Sequence, residues 1–224
     1  MTAQTSSRVD HMKRLFFLFF GILFLTGCEE SAFFLPLPEA EHRATPLHFG
    51  LYVTPDPSTN PIVPPERFTG FHVGTDFEVT EEELTQDVPV SAICTGDIAY
   101  SGFAEGYGGL IVQHCKIRKR EVTILYGHVA PRDSLKKDET VDAGSILGLL
   151  AENRSIESDG NRKHLHLGIH HGDTIDMRGY VQTEEELAEF IDPITVLPFF
   201  PMAPFAPTLT PFWTPEEEPE IMIE

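Results

Sequence analysis

The chain is poor in positive charge. Among 224 residues, 16 Lys and Arg stand against 35 Asp and Glu, a formal net charge of −19. Phosphate binding needs a basic stripe, so this balance argues against a nucleic-acid partner. The one basic run, "KIRKR" from Lys116 to Arg120, lies between two strand-like stretches and reads as a solvated hairpin turn. Cysteine is scarce too: there are three, with no C-x-x-C pair, so a closed cysteine zinc site is excluded. There is no H-E-x-x-H, the helical pattern that sets a glutamate base beside a metal. No apolar run reaches the ~20 residues that a membrane-spanning helix needs.

The apolar run that does occur, Leu15 to Leu25, has the length of a signal-peptide core and follows Lys13 and Arg14. It ends in "LTGC", small residues immediately before Cys28, and resembles the lipobox of bacterial lipoproteins. That resemblance implies cleavage after residue 27, lipidation at Cys28 and an exported, membrane-anchored protein. Glu29 is not the aspartate associated with inner-membrane retention, so the implied address is the outer membrane where one exists and the cell surface otherwise. Residues 1–27 are therefore read as a signal peptide and 28–46 as a tether. A domain follows over 47–197, and 198–224 form a Pro-rich acidic tail with too many prolines for a helix or a central strand.

Within the domain, short apolar or alternating runs such as "GLIVQHCKI", "EVTILYGHV" and "HLHLGIH" are separated by glycine. Runs of this length with such turns predict a mainly β domain with antiparallel sheets. One or two short helices are predicted at Thr80 and Thr183, where a threonine is followed three residues later by glutamate, the capping-box spacing. Cys94 and Cys115 fall on consecutive strand-like runs. Antiparallel pairing there leaves both a disulfide and two buried thiols open.

Four of the ten histidines lie in "KHLHLGIHH", Lys163 to His171. Side chains at i and i+2 of a strand share a face, so His164 and His166 point one way and Leu165 and Leu167 turn into a core. Two imidazoles on one face serve a metal, acid/base chemistry or a structural hydrogen-bond pair, and spacing alone does not choose. A second set lies in "HVGTD", with His72 and Asp76 four residues apart. A straight strand would separate them by ~13 Å, so the chain must bend between them, and Gly74 permits unusual backbone angles there. Two histidines and one carboxylate leave a fourth position open, as in catalytic zinc sites. His128, in "YGHV" at a strand end, is a further polar candidate.

Taken in order, His72-x-Gly74-x-Asp76, Tyr126-Gly127-His128 and His164-Leu165-His166 resemble the lysostaphin/LytM-type zinc metallopeptidases. These are peptidoglycan endopeptidases with a duplicated hybrid motif, and the resemblance covers roughly residues 68–197. It implies Zn2+ held by His72, Asp76 and His166, with His164 and His128 as the catalytic histidines and peptidoglycan peptides as substrate. The chain departs from the family where Leu167 and Gly168 follow H-L-H in place of an aromatic residue and glutamate. That alters the cleft without removing a ligand. Two other functions remain in view. A non-catalytic wall-binding or amidase-activating module has usually lost metal ligands, which this chain keeps. A lipoyl- or biotinyl-type carrier needs a lysine flanked by Met or Ala in a hairpin turn, which it lacks.

Overall fold

The computed structural model describes residues 33–197. The expected signal peptide, the lipidation site Cys28, the first residues of the tether and the 198–224 tail lie outside the described residues. Strands run in chain order as β1 (Tyr52–Val53), β2 (Gly70–His72), β3 (Gly74–Glu78), β4 (Pro89–Ser91), β5 (Gly96–Ala104) and β6 (Gly108–Ile117). They continue as β7 (Arg120–Gly127), β8 (Val129–Pro131), β9 (Thr140–Val141), β10 (Ile146–Leu150), β11 (His164–His171) and β12 (Tyr180–Val181). A six-stranded sheet has the order β3-β11-β7-β6-β5-β9, and two three-stranded sheets have the orders β4-β10-β8 and β1-β2-β12. The pairings are antiparallel, as expected.

Period-two alternation divides the central strands between two packing layers. Ile111, Cys115 and Ile117 of β6, Val122, Ile124 and Tyr126 of β7, and Leu165, Leu167 and Ile169 of β11 join the main core. Leu110, Val112 and Leu125, on the opposite face, pack with Ala99 and Tyr107. Both faces of the central strands are therefore covered, which explains their near-continuous apolar runs. The basic run forms the β6–β7 turn, where Arg118 and Lys119 both have positive φ (48° and 68°), the backbone of a tight hairpin.

The two helix expectations divide. At Thr183 the helix α1 (Glu184–Leu187) forms with both capping-box bonds present. At Thr80 the same two bonds form with Glu83, at 2.9 and 3.4 Å. Only a 3-10 turn over Glu82–Thr85 follows, and none of its residues is buried. Without an apolar face to pack, capping alone does not extend a helix. A second short helix, α2 (Pro193–Val196), is capped by Asp192.

The stretch expected as tether differs where it is described. Leu37 and Ala40 are buried in the main core. The backbone of the stretch is tied to the segment from β4 by Phe34 N–H donating to the Ile93 carbonyl and Ser91 N–H to the Pro36 carbonyl, both at 2.9 Å. Proline removes donors but leaves acceptors, so "FFLPLP" pairs through the Phe34 N–H and the Pro36 carbonyl while Leu37 is buried and Leu35 half-buried. Nearby, Cys94 and Cys115 are joined by a disulfide with Cα atoms 6.3 Å apart.

Beside that bridge Tyr126 serves the core. Its hydroxyl accepts from Ile93 N–H and donates to Gln113 Oε1, and Gln113 Nε2 donates to the Cys94 carbonyl, each at 2.9 Å. All of these groups are buried, so removing the hydroxyl leaves a donor and an acceptor unpaired. Tyr126→Phe is expected to destabilise the fold by ~1–3 kcal/mol, read as a lower denaturation midpoint with an unchanged denaturant slope. An unchanged midpoint would show that the network contributes nothing net.

Candidate metal centre

The bend anticipated between His72 and Asp76 is a change of sheet. β2 belongs to the small sheet with β1 and β12, β3 opens the six-stranded sheet, and Val73 lies between them. Gly74 has a different role from the one its position suggests, since it is absent from the positive-φ residues. What it supplies is space: a Cβ there would lie 2.5 Å from the Leu167 carbonyl oxygen and 2.7 Å from His166 Cε1 and Nε2. β3 and β11 pair with His166 opposite Asp76 and His164 opposite Glu78. His128 closes the group from the β7–β8 junction with φ of 61°, an uncommon conformation for a residue other than glycine that is concentrated at functional sites.

Three side-chain atoms converge. His72 Nε2 lies 2.9 Å from His166 Nδ1, and Asp76 Oδ1 lies 3.1 Å from His166 Nδ1 and 3.3 Å from His72 Nε2. Tetrahedral ligands with zinc bonds of ~2.0–2.1 Å are separated by about 3.3 Å, so shifts of tenths of an ångström seat an ion. The residues fit the metal. The other nitrogen of His72, Nδ1, is 3.4 Å from the His48 carbonyl, which turns Nε2 towards the centre. Among the described residues these three form one of two groups whose ligand atoms lie within 4.8 Å of one another.

Electrostatics favours the ligating forms. Burial pushes the Asp76 carboxyl up, but His164 and His72, with hydrogen bonds from His164 and His166, outweigh it and hold the group well below the usual range. Burial, only partly offset by Asp76, pushes His166 down to about 4. Burial and the neighbouring His164 likewise hold His128 well below its ordinary value. Neutral imidazoles are what a metal binds.

A pH dependence follows for the metal-free protein. The unfolded chain takes up the His166 proton near 6.5, and the folded chain refuses it until about 4. Between those values the unfolded state binds more protons, so stability is complete above 6.5 and is lost as pH falls towards 4, by ~3 kcal/mol. Thermal unfolding of the chelator-treated protein is expected to move to lower temperature across that window. A flat profile would mean that His166 is not held neutral by the fold.

The remaining predicted residues also reach the site. The His164 ring lies 4.4 Å from that of His128, centroid to centroid, and His164 Nδ1 donates to the Arg162 carbonyl at 2.9 Å. His128 Nδ1 is buried without a hydrogen-bond partner. Three neighbours escaped the sequence reading. Tyr107 places its hydroxyl 3.5 Å from His166 Nε2, Tyr180 packs its ring 5.2 Å from His72, and Arg162 bonds Asp76. Burial, then nearby carboxylates, push both tyrosines above their ordinary range, so their hydroxyls stay protonated. The cleft over the centre has a volume of about 290 Å3, with Phe68, Glu105, Met177 and Gln182 among its walls.

Residues 70–177 match Peptidase family M23. The chain carries an M23 metallopeptidase domain. His72, Asp76 and His166 form the His-Asp-His zinc site of that family. Among solved structures, the catalytic domain of lysostaphin from Staphylococcus simulans is 19% identical, with a TM-score of 0.46, over 68% of this chain and 90% of that one. Csd3 from Helicobacter pylori is 22% identical, with a TM-score of 0.42, over 67% of this chain and 35% of that one. The chain thus spans about a third of Csd3. Among curated proteins none matches.

His170 is buried near the end of β11, edge-on to Phe190 with centroids 4.9 Å apart. With Asp176 and Glu189 it makes the second group within ligand distance. Arg178 already bonds Asp176 through both oxygens, and Glu186 and Glu189 at 2.8 and 2.9 Å. Both carboxylates of that group are therefore already bonded to a cation of the chain itself.

Proposed function

We propose that the protein is a lipid-anchored zinc endopeptidase that hydrolyses peptide cross-links of bacterial peptidoglycan outside the cytoplasm. The observation that carries this reading is the pairing of a two-histidine, one-carboxylate centre with two further buried histidines on one wall of an open cleft. Zinc, when bound, supplies a Lewis acid that polarises a carbonyl and makes water acidic enough to ionise near neutral pH. The chain supplies the rest. His164 is oriented by the Arg162 carbonyl so that Nε2 takes the proton of the attacking water. His128, fixed by its strained backbone and packed at a tilt beside His164, offers a ring N–H to the developing oxyanion. His164 then delivers the proton to the leaving amine.

The disulfide is consistent with export into an oxidising compartment. The sequence around Cys28 supports the anchor, and lipid chains bind membranes through ~0.8 kcal/mol per buried CH2. Cys28→Ser should move the protein from the membrane to the soluble fraction, and equal membrane association would contradict the anchor. For the reaction itself, purified peptidoglycan is digested and the products are weighed by mass spectrometry. Peptide cleavage adds one water per cut and leaves the glycan strands whole. Products with cut glycan strands and intact peptides would refute the assignment.

A further inference from the structure

Arg162 stands two residues before His164, just ahead of the start of β11. Its guanidinium is engaged on every side. Nη2 donates to Asp76 Oδ2 at 2.7 Å, Nε and Nη2 hold both oxygens of Glu78 at 2.6–3.1 Å, and Nη1 bonds Glu66. The side chain is 14% exposed, and those of Asp76 and Glu66 are 2% and 8% exposed. The two oxygens of Asp76 thereby have different surroundings. Oδ1 faces His72 and His166, and Oδ2 faces Arg162 and His164 Nε2, the latter at 3.0 Å.

Resting on the zinc-peptidase reading above, we infer that Arg162 is a positioning residue: it occupies Asp76 Oδ2, so that Oδ1 is presented to the metal. A carboxylate with a free outer oxygen can rotate or offer both oxygens to the ion. A planar guanidinium held by two further carboxylates opposes both, and Oδ2 keeps its 3.0 Å contact with His164 Nε2 beside it. A lysine ammonium lacks the fork that binds several acceptors in one plane. The charges agree with this role. One guanidinium against three carboxylates leaves the cluster negative, which suits a dication. The same contacts bind the loop carrying Glu66, a wall of the cleft, to the metal ligand.

The test is zinc affinity, measured on the purified full chain by competition with a chromophoric chelator. Outer contacts to metal ligands typically change affinity or activity by ~10–100-fold. Arg162→Ala is expected to weaken zinc binding by that factor. Arg162→Lys is expected to fold, to weaken zinc by about 10-fold, and to lower kcat on peptidoglycan with KM unchanged. Arg132→Ala, which breaks an ion pair with Glu139, controls for loss of a salt bridge and should leave zinc affinity at the wild-type value. Folded Arg162→Lys with wild-type zinc affinity and kcat would overturn the inference, and it decides the matter alone if Arg162→Ala does not fold. The zinc titration uses no substrate. A wild-type protein that binds zinc but fails to cut peptidoglycan would therefore count against the proposed function and leave the affinity result to judge Arg162.

Discussion

His166→Ala is expected to lose zinc and activity together, whereas His164→Ala keeps zinc near one per chain and loses turnover by ~10²-fold or more. The two residues are neighbours on one face of β11, both buried, and no local chemistry separates them. Their surroundings do. His166 Nδ1 lies within 3.1 Å of both His72 Nε2 and Asp76 Oδ1, so removing it leaves two protein ligands, too few to hold the ion well. His164 touches only the outer oxygen of Asp76 and faces His128. His72→Ala and Asp76→Ala should follow His166→Ala, and His128→Ala should follow His164→Ala. Elemental analysis beside hydrolysis of a cross-linked muropeptide reads all five. If His164→Ala sheds zinc and His166→Ala retains it, the assignment is reversed.

Gly74→Ala should be nearly as damaging without deleting any functional group. The added methyl would be 2.5 Å from the Leu167 carbonyl and 2.7 Å from the His166 ring. The carbonyl belongs to the paired backbone of β11 and cannot move without breaking the ladder. Relief must come from displacing β3 or the His166 ring, and either separates the ligands. Overpacking of this kind costs about 1–3 kcal/mol or more, and zinc affinity is expected to fall with it. Gly168→Ala is the matched control: Gly168 pairs with Gly74 across the same two strands, yet a methyl there meets nothing nearer than 3.4 Å. It should be far milder. Equal effects in the two variants would show that crowding at Gly74 is not what matters.

Those contrasts mark what the sequence made legible. Strand periodicity separates Leu165 and Leu167 from His164 and His166, and the structure places the leucines in the main core and the histidines in the cleft. Short apolar runs with glycine turns were enough for antiparallel sheets. Long-range contacts were harder to read. Glu66 meets Arg162 across 96 residues and Asp76 meets it across 86. Arg162 lies just ahead of β11, and nothing local says which carboxylates wait there. Tyr107 was visible only as part of "GYGG", since its role depends on the space that Gly127 leaves beside His166. Proline misled in the 33–46 stretch, where it removes donors at three positions and says nothing of the burial of Leu37 and Ala40. Gly74 was noticed for the wrong physical reason, because a close approach between strands leaves no trace in composition.

The central claim is that this centre holds zinc and that the zinc-loaded protein opens a peptide bond of the wall. The most direct measurement follows release of new amino groups from a cross-linked muropeptide, first with the chelator-treated protein and then after one equivalent of zinc per chain. The account predicts no release from the stripped protein and recovery on stoichiometric readdition, with the product masses accounting for one peptide cut. A protein that takes up one zinc per chain and still releases no amino groups from any wall preparation would contradict it, and would leave a metal-bearing wall-binding module in its place.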